Sequence, residues 1–171
     1  MVSDLEKLSV LIVAESPQLR RLVISALQAH RIKIVLECGT GQEGFLMFCD
    51  KSPNLVLADW ETGTMSGIEL TRKIRSDAAS PDRKVPIILM LANNTGIEHI
   101  ADARNAGVTG LLLKPFSAGD LIKHIHYAID DRREFIETPG YTGPDRRTKP
   151  LPDYAGPMRR AADAVDKESV K

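Results

Sequence analysis

Residues 55–67, LVLADWETGTMSG, decide the fold. A run of four apolar residues ends on a carboxylate, Asp59, and a polar loop then leads to Gly67. The run is apolar on successive residues rather than alternate ones. It therefore reads as a strand buried on both faces, which is the habit of parallel sheets covered by helices. Four further runs have the same character: LSVLIVA (8–14), IKIVLEC (32–38), VPIILML (85–91) and VTGLLL (108–113). Helical stretches separate them. Ser16-Pro17 supplies an N-cap and a first-turn proline, and Leu19, Leu22, Val23, Ala26 and Leu27 then share one helical face. Thr40-Gly41-Gln42-Glu43 has the pattern of a capping box. Further helices are expected to about Asp77, near 95–106, and from Ser117 to about Arg132. Five βα units predict an α/β fold with a five-stranded parallel sheet. In such sheets, reactive groups gather at the carboxyl ends of the strands. Those ends are Ala14-Glu15, Asp59, Leu91-Ala92 and Lys114-Pro115.

Composition narrows the function. The chain has 171 residues, 43% hydrophobic and 27% charged, with Lys plus Arg equal to Asp plus Glu at 23 each. One domain plus a tail fits that length. A zero net charge gives no global field for a nucleic acid, so any basic site must be local. No run of apolar residues is long enough for a membrane span, and MVSDLEKLSV lacks the apolar core of a secretory signal. Cys38 and Cys49 form no CxxC, and the four histidines form no HExxH. Reduced packing thiols in the cytoplasm and no zinc chemistry are expected.

LVLADW, the glycine eight residues after Asp59, LLLKPF and the order of elements together resemble the CheY-like receiver domain of bacterial response regulators, over roughly residues 7–130. The resemblance implies a flavodoxin-like (βα)5 fold. It also implies that Asp59 is the phosphoacceptor, that an acidic pair after the first strand holds magnesium, that a hydroxyl follows the fourth strand, and that Lys114 completes the site. The carry-over is partial. The acidic pair is Ala14-Glu15, one carboxylate short. The hydroxyl position falls on Ala92 or Leu91, neither of which has one, and the switch position on the fifth strand is Leu111. Magnesium takes hard oxygen ligands in octahedral geometry and neutralises charge on a transferred phosphoryl group. With those ligands missing, slow or absent phosphorylation is expected, with no metal and no enzymatic activity, and with Asp59, Glu15 and Lys114 retained in an inactive site.

The character changes past residue 138, and the chain divides into a receiver (1–135) and a tail (136–171). Residues 139–171 hold five prolines and few large aliphatics, so this tail cannot build its own core and is expected to be disordered without a ligand. It contains a repeat. The frame P-x-Y-x-G-P-x-R-R occurs at 139–147 and again at 152–160, offset by thirteen residues. Proline lowers the entropy lost on ordering, and glycine allows close backbone approach. Arginine's planar fork binds phosphate or the O6/N7 edge of guanine in two-pronged fashion and stacks on flat π systems. Two such cassettes suit a ligand with two guanines and two phosphates, namely cyclic di-GMP. A tail that binds RNA or an acidic partner through charge is the competing reading.

A receiver followed by GPDRR…DYxGPxRR also resembles the Cle group of CheY-like cyclic-di-GMP effectors. That resemblance implies that the tail binds cyclic di-GMP, as an intercalated dimer. The loaded protein would then dock on the flagellar motor switch at the flagellated pole, impede motility and favour attachment. Carried over, Arg146, Arg147, Arg159 and Arg160 contact guanine and phosphate, Tyr141 and Tyr154 stack, and Asp145 and Asp153 accept from the guanine N1/N2 edge. The copies differ at the acidic positions: Asp145 corresponds to Met158, and Gly140 to Asp153. A monomer without DNA or membrane partners is expected.

Overall fold

A computed structural model describes residues 5–92 and 96–146. A short 3-10 turn (Leu5–Lys7) precedes five alternating units. These are β1 (Ser9–Val13), α1 (Pro17–Ala29), β2 (Ile34–Cys38), α2 (Gly41–Lys51), β3 (Leu55–Asp59), α3 (Gly67–Ser76), β4 (Ile87–Ala92), α4 (Ile97–Ala106), β5 (Gly110–Lys114) and α5 (Ala118–Ile129). All neighbouring strands pair in parallel, in the order β2-β1-β3-β4-β5. This is the flavodoxin-like order, which puts β1 and β3 side by side at the crevice where such folds bind ligands.

The continuous apolar runs are explained by a core on each side of the sheet. Leu11, Val13, Val56, Ala58, Leu89 and Leu91 pack with Phe45, Phe48, Leu70 and Ile74 of α2 and α3 on one face. Val10, Ile12, Leu55, Leu57, Ile88 and Met90 pack with Val23, Leu27, Leu121 and Ile125 of α1 and α5 on the other. Each such Val, Leu, Ile, Met or Phe side chain contributes about 1.5–3 kcal/mol on burial, so β1, β3 and β4 have no face to spare for polar residues.

Local signals set the boundaries. The Ser16 hydroxyl accepts from Leu19 N ahead of Pro17, and Thr40 accepts from Glu43 N. Ser66 with Glu69, and Ser117 with Asp120, form reciprocal capping boxes. The loop after β3 depends on Gly67, whose N donates to Trp60 O at 2.9 Å. A Cβ at Gly67 would overlap the Asp59 carbonyl. The spacing from Asp59 to this glycine is thus a steric condition for folding the loop back over the strand end.

The chain does not stop being ordered at residue 138. β6 (Phe135–Thr138) and β7 (Tyr141–Pro144) form an antiparallel hairpin, with Phe135 opposite Pro144 and Thr138 opposite Tyr141. The disorder expected past 138 therefore does not hold for residues 139–146. The hairpin has no core of its own, as its composition requires, and is instead stabilised by the receiver. Gly107, the C-cap of α4 at φ +91°, lies so close to β7 that a Cβ on it would overlap Thr142 O. A Cβ on Gly143 would meet Gly107 Cα in turn. The glycine of the first cassette is therefore a packing residue.

Arg75 of α3 secures the junction. It is 2% exposed. Its Nε donates to Gly107 O at 3.0 Å, and its Nη1 donates to Arg83 O at 2.6 Å and Val85 O at 2.8 Å. The guanidinium also lies 5.4 Å from the Phe135 ring centroid. Burial lowers its pKa to about 10, a shift opposed by Asp82 and Tyr141. At the hairpin's entry, Asp131 takes a forked pair of bonds from Arg133, whose Nη2 also donates to Thr109 O at 2.7 Å.

Candidate functional site

Two concave regions hold residues singled out in the sequence. The first lies at the carboxyl ends of β3, β4 and β5, a cleft of about 290 Å³ lined by Asp59, Trp60, Glu61, Ala92, His99 and Lys114, with Gly96 at its edge. Asp59 is 7% exposed. Lys114 Nζ donates to Asp59 Oδ1 at 2.7 Å, and Trp60 N donates to the same oxygen at 2.8 Å. The Lys114-Pro115 peptide is cis. Register decides the open choice for the hydroxyl position. Ala92 pairs with Lys114 and lines the cleft, whereas Leu91 is fully buried in the core. A methyl group thus stands where a receiver's hydroxyl is expected. Leu111 pairs with Leu89 and packs against the core. His99 meets Trp60 edge to face, with centroids 4.9 Å apart, so it belongs to the cleft wall.

Glu15 does not join this group. It is exposed and does not line the cleft, while Ala14 is buried. Arg20 holds the backbone here instead. Its Nη1 donates to Ala14 O at 2.6 Å and Glu15 O at 3.1 Å, and its Nε donates to Glu37 at 2.7 Å. The corner where a receiver places its metal-binding pair is therefore tied down by an Arg20–Glu37 ion pair. Among the described residues, no three histidines, cysteines or carboxylates gather in a way that could hold a metal ion. Among the described residues, Asp59 and Glu61 are the carboxylates that line the cleft, and Asp59 is paired with Lys114, so the second carboxylate of the expected acidic pair has no counterpart there.

The second region is a groove of about 720 Å³ between α4 and the hairpin. It brings together three of the residues expected to bind ligand: Tyr141, Asp145 and Arg146. The Arg146 guanidinium lies 4.0 Å from the Tyr141 ring centroid, and its Nη1 donates to the Asn105 amide oxygen. The Tyr141 hydroxyl donates to Pro144 O at 2.6 Å. Burial raises the Tyr141 pKa against the opposing pull of Arg146, Arg133 and Arg75, so the phenol keeps its proton. The α4 residues on the opposite wall, Ile97, Ile100, Arg104 and Asn105, carry no motif, and only the tertiary fold reveals them. Arg147, Asp153, Tyr154, Arg159 and Arg160 lie outside the described residues.

The cysteines are packing residues here. Cys38 is buried beneath Gly44 and Val13. Burial, reinforced by Glu43, pushes its thiol up to about 11, so it stays protonated and weakly nucleophilic. No described helix is long and apolar enough to cross a membrane.

Comparison with known proteins agrees with this geometry. The family model of the response regulator receiver domain matches residues 10–126. The chemotaxis protein CheY1 of Helicobacter pylori is 30% identical over 111 residues, covering 64% of this chain and 87% of that protein. CheY-3 of Vibrio cholerae is 30% identical over 116 residues, covering 68% and 87%. Among solved structures, Vibrio cholerae CheY4 superposes with a TM-score of 0.64 at 25% identity, covering 71% of this chain and 98% of that one. The matches to these CheY proteins and the strand-end lysine–aspartate pair describe the same molecule: this chain belongs to the response regulator receiver domain family.

Proposed function

We propose that this chain is a cyclic-di-GMP-responsive adaptor, a receiver fold whose input has moved from Asp59 to the arginine cassettes. One observation carries the reading: P-x-Y-x-G-P-x-R-R is duplicated. The placement of the first copy supports it, since Tyr141, Asp145 and Arg146 stand together on a solvent-open groove. Arg146 and Arg147 of one copy, with Arg159 and Arg160 of the other, take guanine edges and phosphates. Tyr141 and Tyr154 stack, and Asp145 and Asp153 accept from guanine N1/N2. The ligand is taken up as an intercalated dimer. The protein does no catalysis, needs no magnesium, binds no DNA and acts as a monomer in the cytoplasm. Loaded, it docks on the flagellar motor switch at the pole and impedes rotation, which favours attachment. The docking surface would be the α4–β5–α5 face, where Ile97, Leu113 and Tyr127 are exposed apolar side chains. Calorimetric titration of the full chain should show saturable binding of cyclic di-GMP that persists in moderate salt. Absence of heat at any ligand concentration defeats the reading.

A second reading is a response regulator phosphorylated on Asp59, and the intact Lys114–Asp59 pair favours it. Acetyl phosphate with magnesium is expected to leave the chain unlabelled. Label that appears on wild type and vanishes in Asp59→Asn would establish the phosphate switch instead.

A further inference from the structure

The groove beside the first cassette is not built by the tail alone. Its far wall is α4. Arg104 and Asn105 stand across from Tyr141 and Arg146, with Ile97 and Ile100 forming an apolar floor. Ile97 is 82% exposed and therefore accessible from the groove. At about 720 Å³ the groove falls in the size range of small-molecule sites. Its chemistry is that of a purine nucleotide site: a flat apolar and aromatic wall for a base, two guanidiniums for phosphate or a guanine edge, and a carboxylate, Asp145, facing the same space.

We infer that Arg104 and Asn105 of the receiver domain complete the ligand site, so that one guanylyl half of cyclic di-GMP lies between α4 and the hairpin. The inference rests on the cyclic-di-GMP reading above. In the structure, Asn105 accepts from Arg146, which lies over Tyr141. The nucleotide then replaces Asn105 as the partner of Arg146, and Arg104 closes on the phosphate from the opposite side. The ligand thereby touches α4, one element of the proposed docking face, directly, and no separate relay through the Asp59 cleft is required.

Calorimetric titrations of cyclic di-GMP into the full chain separate the possibilities. Arg104→Ala is expected to weaken binding about tenfold, the loss of one two-pronged arginine contact. Arg104→Lys should recover little of it, because an ammonium cannot reproduce the fork. Arg104 is exposed, so both variants should keep the wild-type circular dichroism and melting profile. Wild-type affinity in Arg104→Ala, alongside lost binding in Arg147→Ala, would overturn the composite site and leave the tail as the whole site. No binding by wild type would remove both readings together.

Discussion

Replacing Arg147 and Arg160 together with alanine is expected to lower the affinity of the full chain for cyclic di-GMP by roughly a thousandfold. One two-pronged arginine–guanine contact is worth about 1–3 kcal/mol. Two at about 2 kcal/mol each come to about 4 kcal/mol, with tenfold for every 1.4 kcal/mol. The residues are the last of each cassette and stand thirteen positions apart. If each serves its own half of the ligand, the single substitutions should each cost tens-fold and add in free energy, as separate sites do. Lysine at both positions restores charge but not the planar fork, so its affinity should stay far below wild type. Full recovery by lysine, with binding that falls steeply with salt, would point to a tail that reads only charge, as for RNA or an acidic partner. Calorimetry of the four variants at two salt concentrations makes the distinction.

Removing Arg75 should be the most damaging single change to the fold away from the apolar core. Its guanidinium holds three carbonyls, those of Gly107 and Val85 in buried bonds and that of Arg83 in a part-buried one. Arg75→Ala leaves them without a donor and opens a void beneath Phe135. Hydrogen bonds from a charged group contribute about 1.5–3 kcal/mol each, and orphaned buried acceptors add their own cost. A loss of about 3–5 kcal/mol is expected, out of the 5–15 kcal/mol that stabilises a typical domain. In a chain of this size that lowers Tm by about 10 °C. Arg75→Met keeps most of the volume and should recover only the packing part. Because the same side chain ties Gly107 to the hairpin, both variants should also loosen β6 and β7, visible as faster amide exchange at Phe135–Thr138. A Tm change under about 2 °C in Arg75→Ala would show that other contacts carry the junction.

The sequence announces the sheet because β1, β3 and β4 are buried on both faces. Their apolar runs are uninterrupted, and no amphipathic alternation confuses strand with loop. Helix starts were legible for a local reason: Ser16-Pro17 and Ser117 cap their own helices within three residues. Asp59 and Lys114 were legible as strand ends, and register brought them to 2.7 Å. Leu91 and Ala92 could not be separated by counting, since only the pairing of Ala92 with Lys114 shows which of them faces the cleft. Arg20, which binds the Ala14 and Glu15 carbonyls, looked like any helix-surface arginine. The hairpin was hidden for a different reason. Its own residues are too polar to predict order, and its stability comes from Gly107 and Arg75, 36 and 68 residues before Gly143 in the chain. The groove inherits that difficulty, because α4 and the first cassette meet only after the hairpin has docked.

On the proposed reading, input enters through the cassettes and α4 rather than through Asp59. An amide NMR titration of the full chain with cyclic di-GMP tests it most directly. Saturable shifts are expected at Tyr141–Arg146, through residues 147–160 and at Arg104 and Asn105, with the amides of Asp59 and Lys114 left in place. No shifts at saturating ligand would contradict it. So would shifts at Asp59 and Lys114 on adding acetyl phosphate and magnesium, with the cassettes unmoved by the nucleotide.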